Sequence, residues 1–274
     1  MSLTSKKSLD KYYTKKECVD KCIELFKEKV FVAEDDICIE PSAGSGAFIE
    51  QIKSIFSHYK FYDIQPENKE ISKQDYLELS EIQDKEGKIH ILGNPPFGRQ
   101  SSLAIKFIKK SSNFCDTISF ILPKSFKKDS LKKHFPLSFH LILEYDLSED
   151  SFTLDGESYN VPCVFQIWEK KNKDRVIPKK PIPKNFSFVK KEDNPDISFR
   201  RVGVYAGKID KSIEDKSIQS HYFIKFDKEI SEEIYNKLSK IQYTSRDDTV
   251  GPRSISKSEL ITQFNLIILG NPFG

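Results

Sequence analysis

The sequence predicts an α/β fold, in which a largely parallel sheet is covered by helices and is followed by a smaller mixed α+β region. Over residues 37–168, short apolar runs typical of strands alternate with amphipathic helical patterns. Such alternation is typical of parallel strands joined by crossover helices. Beyond residue 185 the strand-like runs are shorter, and one helical pattern occurs near residues 230–241. The length of 274 residues suits one full domain with a smaller appendage.

The first helix is predicted from Thr14 to Val30, because apolar residues recur there at the spacing of one helical face. Thr14 and Glu17 have the form of a capping box, so the helix should begin at Thr14. It should be followed by a strand at 37–40, a loop at 41–46 and a second amphipathic helix at 48–56.

Five more strands are expected further along the chain, at residues 60–64, 88–93, 117–122, 139–147 and 161–168. Only residues 148–160, with the turn pair Asp155-Gly156, separate the last two strands, and this is too short for a crossover helix. We therefore expect these two strands to form an antiparallel pair at the edge of the sheet.

A stretch rich in lysine and proline, residues 171–185, has no periodicity and is predicted to be a linker. It divides the chain into a domain at 1–170 and a smaller domain at 186–274. The smaller domain has strand-like runs at 186–189, 197–205 and 222–226. The octamer at 267–274 echoes the one at 91–98, and we expect either coincidence or a strand that ends in a similar turn.

The composition argues against several classes of protein. No apolar run approaches the roughly 20 residues of a membrane-spanning helix, and the amino terminus lacks the apolar core of a signal peptide. The five cysteines are odd in number and never spaced as Cys-x-x-Cys, which indicates reduced thiols. No His or Cys cluster has metal-ligand spacing. We therefore expect a cytoplasmic (intracellular) protein with no membrane span and no metal.

The net charge is only +3, but the charges are unevenly distributed. Residues 99–133 contain nine basic and two acidic side chains, and residues 170–184 contain seven basic side chains and one acidic one. Local excesses of this size can neutralise the phosphates of a nucleic acid. Lysine-rich helix exteriors also serve solubility, so both interpretations stay open.

A loop rich in small residues, Glu40 to Phe48, lies between a predicted strand and a predicted helix. Its two glycines allow a sharp turn and a close approach of the backbone to a ligand, which is typical of a cofactor loop. The loop is not the three-glycine dinucleotide fingerprint, because Ser42 stands where the first glycine would be. It is not a phosphate-binding P-loop either, because no Gly-Lys-Ser/Thr follows.

Acidic residues follow successive predicted strands. Glu40 ends the first strand, Asp63 ends the second, and Asp75 comes about a dozen residues later. At the carboxyl edge of a parallel sheet these side chains should point into the crevice where nucleoside ligands bind. Asp63 could accept hydrogen bonds from both ribose hydroxyls, while Ile64 and Tyr76 could form apolar walls for an adenine.

The tetrapeptide Asn94-Pro95-Pro96-Phe97 directly follows the predicted strand at 88–93. Asn94 offers a side-chain carbonyl, and a proline-held residue offers a main-chain carbonyl. Two acceptors that converge on one planar amino group bind both of its hydrogens and make its nitrogen more nucleophilic. Phe97 could stack on the ring that carries this amino group. A turn rigidified by Pro95 and Pro96 is the structural alternative.

These residues resemble the S-adenosylmethionine-dependent amino-methyltransferases that modify the exocyclic amino group of adenine in nucleic acid. Tyr12-Tyr13-Thr14 is similar to the amino-terminal cofactor motif of that family, Glu40 to Phe48 to its Glu-Pro-x-x-Gly-x-Gly loop, and Asp63 and Asp75 to its acids for ribose and adenine. Asn94 to Phe97 matches its catalytic motif, in the gamma order with the cofactor loop first. Weaker similarity extends to residues 119–123 and 161–168, so the resemblance covers about residues 10–170.

The resemblance implies a Rossmann-like seven-stranded methyltransferase sheet with an antiparallel edge hairpin, and S-adenosylmethionine as cofactor. The implied cofactor-binding residues are Tyr13, Thr14, Glu40, Pro41, Ala43, Gly44, Gly46, Asp63, Ile64, Asp75, Tyr76 and Asn94. The implied catalytic residues are Asn94, Pro95, Pro96 and Phe97. The methyl group would pass to an adenine of DNA, favoured over RNA, and the base would be flipped out of a duplex.

Further residues are candidates for contact with the nucleic acid. Flipping a base costs a few kcal/mol, so a second aromatic should stack on it, and Phe152 or Tyr159 could do so unless they only pack in the hairpin. The basic candidates are Arg99, Lys124, Arg200 and Arg201, for which ordinary solvent exposure is the alternative. The region at 186–274 would then be a target-recognition domain. A companion nuclease or subunit, and the oligomeric state, stay open.

Three rival functions remain at the level of sequence. A release-factor-type glutamine methyltransferase also uses an Asn-Pro-Pro-aromatic motif on a planar amide. A non-catalytic nucleic-acid-binding subunit could keep the fold, although it would have no need of an intact residue set at 94–97. A dinucleotide-dependent oxidoreductase would lack its glycine pattern and would give Asn94 no role.

Overall fold

The computed structural model describes residues 12–80, 86–154 and 156–270, and the chain divides into two compact units at 1–176 and 177–274. The strands described in the first unit are β1 (Tyr13–Thr14), β2 (Ile37–Glu40), β3 (His58–Asp63), β4 (Ser72–Lys73), β5 (Ile89–Gly93), β6 (Thr117–Pro123), β7 (Phe139–Asp146), β8 (Phe152–Leu154), β9 (Glu157–Tyr159) and β10 (Cys163–Lys170). Its helices are α1 (Lys16–Lys29), α2 (Ile49–Lys53), α3 (Ser102–Ser111) and α4 (Asp129–Lys132), with 3₁₀ turns at Tyr76–Glu78, Arg99–Ser101 and Lys124–Lys127.

The first unit is built on a seven-stranded sheet with the order β4-β3-β2-β5-β6-β10-β7. The first five strands in this order are parallel to one another, whereas β10 runs antiparallel to both β6 and β7. The predicted α/β fold and the antiparallel pair at the sheet edge are confirmed. The seventh strand, β4, has only two residues, both exposed, so no apolar run in the sequence could indicate it.

Helices cover both faces of this sheet. Neighbouring residues of a strand point to opposite faces, so Cys38 packs into a cluster with α1 and α2, whereas Ile39 packs into another cluster with α3. Both clusters are rich in fully buried aromatic side chains. This two-sided burial explains why β5 and β6 are apolar along most of their length instead of alternating.

The amino-terminal segment forms a strand where the sequence predicted the start of a helix. Thr14 pairs with Phe152 in a small antiparallel sheet, β1-β8-β9, and α1 begins after Lys15 without a side-chain cap. The capping-box prediction is therefore wrong, because Thr14 is drawn into the pairing with β8. Lys15 strengthens this attachment through its backbone N–H to Ser151 O, at 3.0 Å, and through an ion pair with Asp150.

The first part of the predicted linker is held against the first unit by Arg175. The Arg175 guanidinium donates to four backbone carbonyls, those of Lys132, Phe135, Pro136 and Phe139. It also lies 5.2 Å from the centre of the ring of Trp168, a residue of β10 that stacks on Phe135. Residues 171–176 thus belong to the first unit, and the division of the chain falls within the lysine- and proline-rich stretch.

The second unit contains a four-stranded antiparallel sheet in the order β11-β14-β12-β13 and two helices. The elements are β11 (Phe186–Val189), β12 (Ile197–Arg200), β13 (Ile209–Asp210), β14 (His221–Phe226), α5 (Glu232–Ser239), α6 (Lys257–Ile268) and a 3₁₀ turn at Thr244–Asp247. Residues 267 and 268 lie in α6, so a strand at the echoed octamer is excluded, and residues 271–274 lie outside the described part. Asp155 of the predicted turn pair also lies outside it.

Within the described ranges, no helix is both long enough and apolar enough to cross a lipid bilayer. The same residues contain no group of three or more His, Cys, Asp or Glu side chains arranged to hold a metal ion. All five cysteines are free thiols and are buried.

Candidate functional site

A cavity of about 690 Å³ opens at the carboxyl edge of the parallel strands. Its walls come from the residues that follow β2, β3 and β5, and from β1. A volume of this size lies within the usual range for small-molecule and cofactor sites, about 300 to 1,000 Å³. The topology therefore brings together, in one place, the motifs that the sequence distributes over about 90 residues.

The loop after β2 forms one wall and is tied to β3 through its backbone. The N–H of Ala43 donates to Tyr62 O at 2.9 Å, and the N–H of Gly44 donates to Asp63 Oδ2 at 2.8 Å. Gly44 and Gly46 both have positive φ, of 54° and 92°, which side chains other than glycine adopt at a cost. The loop is thus a sharp turn whose backbone is hydrogen-bonded to the carboxyl end of the neighbouring strand.

The two acids that follow β3 and β4 also line the cavity, and each supports local backbone. Asp63 Oδ1 accepts from the N–H of Gln65 at 2.7 Å, in addition to the bond from Gly44. Asp75 caps the following 3₁₀ turn by accepting from Leu77 N at 2.9 Å. A carboxylate oxygen can accept more than one hydrogen bond, so Asp63 keeps acceptor capacity for hydroxyl groups of a ligand.

Asn94 lies directly after β5, with its side chain oriented by Thr14. Its Nδ2 donates to Thr14 Oγ1 at 3.2 Å, and its backbone carbonyl accepts from Ser42 Oγ at 3.2 Å. Its Oδ1 is buried and has no hydrogen-bond partner among the residues that the structure describes. An orphaned buried acceptor costs about 1 to 3 kcal/mol, which a donor on a ligand would recover.

Glu40 is a second buried polar group in the cavity wall. It is 2% exposed, and within the described part of the chain its Oε2 has no hydrogen-bond partner. Burial, with a smaller contribution from the nearby Asp63, raises the pKa of Glu40 to about 8. A cationic or hydrogen-bonding ligand group beside Glu40 would favour its ionised form.

The cavity is lined by most of the residues that the sequence singled out. These are Tyr13, Thr14, Glu40, Pro41, Ala43, Gly44, Asp63, Ile64, Asp75, Tyr76, Asn94, Pro95, Pro96, Phe97 and Arg99. Gly46 does not line it and instead shapes the loop behind it. Tyr76 contributes to the wall, but its ring is 1% exposed, stacks on Phe107 and is tied through its hydroxyl to Ser111 at 2.7 Å.

The two aromatics proposed from the hairpin have different environments. Phe152 is 1% exposed and packs in the cluster beneath α1, so it supports β8 and does not face the cavity. The expectation that Phe152 could stack on a base is corrected accordingly. Tyr159 stacks on Tyr12 with a centroid distance of 5.1 Å, and Tyr12 itself lines the cavity.

The basic residues proposed from the sequence for contact with nucleic acid lie in different parts of the structure. Arg99 is exposed at the cavity wall, whereas Lys124 pairs with Asp146 at 3.3 Å and does not line the cavity. Arg200 and Arg201 lie in the second unit. Arg200 Nε donates to Val202 O, while Arg201 donates to Gln219 O and lies over the Tyr222 ring.

Sequence reasoning passed over several cavity residues that make specific contacts. Ser42 bonds to the Asn94 backbone, and Glu67 accepts from the Tyr13 hydroxyl at 2.9 Å. Leu103 and Phe107 of α3 contribute apolar side chains to the wall of the cavity. Ser42 stands where the dinucleotide fingerprint would have its first glycine, and this difference was the sequence signal that could have pointed to it. Nothing in the sequence around Glu67 indicates its pairing across 54 residues.

Glu40 makes the stability of the protein depend on pH. Its pKa is about 8 when folded and 4.5 when unfolded, so the folded state holds a proton that the unfolded state loses in this window. We expect the free energy of unfolding of the wild type to fall, relative to Glu40→Gln, by the order of a few kcal/mol as the pH rises from 4.5 to 8. Urea unfolding across this range measures the difference. Parallel stability curves for the two proteins would contradict the assignment, and Glu50→Gln, at an exposed site on α2, is the control.

The two loop glycines should respond differently to alanine. A Cβ at Gly46 would lie 2.6 Å from Ile49 Cδ1, whereas a Cβ at Gly44 meets nothing within 4 Å. We expect Gly46→Ala to lose clearly more stability than Gly44→Ala, for which backbone strain alone costs about 1 to 2 kcal/mol. Gly44→Ala should instead weaken binding of S-adenosylmethionine. Thermal unfolding and calorimetric titration measure the two effects, and equal losses in both variants would refute this division of roles.

Comparison with known proteins finds a family match that starts inside the cavity loop. Residues 46–181 match the family described as the EDM2 methyltransferase-like domain. ENHANCED DOWNY MILDEW 2 from Arabidopsis thaliana is 32% identical over 109 residues, which cover 38% of this chain and 8% of that protein. The chain thus spans less than a tenth of the length of this relative.

Solved structures with a similar fold include several methyltransferases. A candidate RNA methyltransferase from Pyrococcus horikoshii has a TM-score of 0.48 and 14% identity, covering 60% of this chain and 88% of that one. The modification subunit of a candidate type I restriction enzyme from Vibrio vulnificus YJ016 has a TM-score of 0.45 and 14% identity, covering 58% and 44%. Residues 46–181 are thus similar to a methyltransferase-like domain, and this match supports S-adenosylmethionine as the cofactor.

Proposed function

We propose that the chain transfers a methyl group from S-adenosylmethionine to the exocyclic amino group of adenine in nucleic acid. The observation that carries this proposal is the buried Oδ1 of Asn94 at the carboxyl end of β5, which no described residue hydrogen-bonds. It lies in the wall of the same cavity as the loop after β2 and the acids after β3 and β4. An amino group on a planar ring is a donor that such an acceptor would bind.

The cavity residues fit the expected cofactor. Asp63 keeps acceptor capacity for ribose hydroxyls, and Ile64 is an exposed apolar side chain in the wall. Glu40 is a buried carboxyl whose Oε2 is not hydrogen-bonded by any described residue and could face a cationic ligand group. The open space beside Gly44 allows a ligand to approach the loop backbone. When bound, S-adenosylmethionine would supply a methyl group activated by its positively charged sulfur.

Asn94 would hold and activate the substrate amino group. Because Nδ2 is engaged by Thr14, the amide is fixed with its oxygen available as acceptor. A hydrogen bond from the amino group to Oδ1 would orient the nitrogen and increase its electron density, so that it could accept the methyl group that the bound cofactor would supply. The methylated nitrogen would then release one proton to solvent water, and no covalent enzyme intermediate is needed.

Phe97 is the proposed stacking platform for the ring that carries this amino group. It lines the cavity and is half-buried against the cluster beneath α1. Stacking on one aromatic contributes about 1 to 3 kcal/mol per base, which is comparable to the cost of flipping a base from a duplex. Tyr12, backed by Tyr159, is an aromatic in the same cavity that could supply further contact.

The exposed face of α3 supports nucleic acid as the substrate class. The basic residues at 124, 127 and 132 pair with Asp146 or Glu144, which neutralises part of the local charge excess. Lys106 and Lys109 are exposed on α3, and the structure shows no acidic partner for them among its described residues. They follow Ser102, which begins α3 in the cavity wall, at the spacing of one helical face.

Lys106 and Lys109 form a basic face of α3, which begins at Ser102 in the cavity wall and extends about 10 Å along the helix, and Arg99 lies in the 3₁₀ turn before it. Such a length can contact two or three phosphates of a strand whose base enters the cavity. A glutamine side chain of a protein substrate would have no need of this surface. The glutamine methyltransferase remains the second candidate, because its planar amide would also suit Asn94.

Asn94→Ala should retain cofactor binding and lose nearly all methyl transfer. The variant removes the acceptor for the amino group, while the cofactor is expected to rely on Glu40, Asp63 and the loop at 41–46. Loss of the acceptor should lower the transfer rate by about 100-fold or more. Transfer of labelled methyl groups to adenine-containing nucleic acid and calorimetric titration with S-adenosylmethionine measure the two properties. A fully active Asn94→Ala protein would refute the proposed role.

The double variant Lys106→Gln, Lys109→Gln should bind nucleic acid about tenfold more weakly at low salt, because two phosphate contacts are lost. For a single strand, the slope of log affinity against log salt should decrease by about 1.4. The matched control changes Lys27 and Lys29 of α1, which packs on the other face of the sheet. Equal effects of both double variants, measured by fluorescence anisotropy, would show that only total charge matters.

A further inference from the structure

The second unit carries a row of three basic side chains across neighbouring strands. Arg200 ends β12, and the register places His221 of β14 directly opposite it on one side. On the other side, Arg200 N donates to Lys208 O and Gly207 N donates to Arg200 O, both at 2.8 Å. Residues that face each other in this way have Cβ atoms about 5 Å apart, so the three side chains are neighbours.

These three side chains line a cavity of about 300 Å³. The wall also contains an ion network in which Lys216 lies 3.2 Å from Asp210 and 2.8 Å from Asp215. Both acids are thus engaged by Lys216, and Ser212 additionally donates to each of them. The two acids of the cavity wall are therefore both paired with one lysine, and the other cationic side chains of the wall stand outside this network.

Arg200 and Lys208 are the cations without an acidic partner among the residues that the structure describes. The hydrogen bond that Arg200 makes through its side chain is from Nε to Val202 O, at 2.9 Å. Lys208 is exposed, and neither acid of the cavity pairs with it. Like charges that face each other across strands repel, so a bound anion would relieve the repulsion.

His221 responds to the same local charge. Its ring is 8% exposed and its Nδ1 interacts with the Ser217 carbonyl at 3.1 Å. Burial lowers the pKa of His221, and the charges of Arg200 and Lys216 lower it further, while the hydrogen bond to the Ser217 carbonyl and the charge of Asp215 oppose this shift. An anion in the cavity would raise the pKa of this ring, which makes His221 a natural reporter of occupancy.

We infer that this cavity of the second unit binds a phosphodiester group of a nucleic acid. Arg200 and Lys208 would hold the phosphate oxygens, and the cavity has three permanent cations against two carboxylates, which suits a singly charged group. Tyr205 lies at the wall with 70% of its surface exposed, so its ring is accessible to an adjoining base or sugar. The inference rests on the proposed function for the identity of the polymer.

The test measures binding by the full chain without cofactor, so its result does not depend on methyl transfer. The proteins compared are the wild type, Arg200→Gln/Lys208→Gln, and a control with two exposed lysines outside the cavity changed, Lys228→Gln/Lys240→Gln. Lys208→Gln alone keeps the test valid if the double variant does not fold. The probes are inorganic phosphate and labelled single-stranded oligonucleotides of DNA and of RNA.

We expect Arg200→Gln/Lys208→Gln to bind the oligonucleotide about tenfold more weakly, with the salt slope reduced by about 0.7 for one lost phosphate contact. In the wild type, the oligonucleotide should also raise the pKa of His221 in an NMR titration. The control should keep the affinity and slope of the wild type. The DNA and RNA arms show which polymer supplies the phosphodiester.

Unchanged affinity and slope in the cavity variant would overturn the inference. A response of His221 to inorganic phosphate but not to either oligonucleotide would also overturn it, because the cavity would then bind only a small anion. If wild-type protein methylates no nucleic acid but the binding results are as expected, the proposed function fails and the binding site stands. If methylation occurs but the cavity variant binds normally, the phosphodiester site is refuted and the proposed function stands.

Discussion

The parallel alignment of β2, β3 and β5 is the constraint on which the candidate site depends. Because these strands run in one direction, the residues after them meet at one edge, and Glu40, Asp63 and Asn94 line one cavity. This edge holds two buried oxygens, Oε2 of Glu40 and Oδ1 of Asn94, that have no hydrogen-bond partner in residues 12–80, 86–154 and 156–270. Each costs about 1 to 3 kcal/mol, which is tolerable when a ligand supplies the missing donors.

At the opposite, amino end of the same strands, the buried polar side chains hydrogen-bond to one another and to the backbone. His90 is fully buried and bonds to Thr117 Oγ1 at 2.8 Å and to Asp36 Oδ2 at 3.1 Å. Asp36 also accepts from the backbone of Ala33 and Lys88, so its side-chain oxygens are satisfied. The polar groups at the amino edge are thus satisfied within the protein, whereas the carboxyl edge offers acceptors to a ligand.

Motifs carried by local sequence were predictable, and contacts across the chain were not. The strand-to-loop positions of Glu40, Asp63 and Asn94 followed from apolar runs and small residues, because strand ends determine where these side chains lie. Thr14 was misassigned to a helix cap, since its pairing with β8 depends on a hairpin nearly 140 residues away. The helix α6 was missed because an apolar run near residue 267 resembled a strand. The pairing of Lys124 with Asp146 likewise required the folded sheet.

The central claim is that the methyl group is transferred to the amino nitrogen of adenine in a nucleic acid. The most direct measurement is incubation with labelled S-adenosylmethionine and a panel of duplex DNA, single-stranded DNA, structured RNA and protein extract, followed by mass spectrometry of the digested products. Label is expected on the exocyclic nitrogen of adenine in one polymer. Label on a glutamine amide of protein, or on a carbon atom of a base, would contradict it.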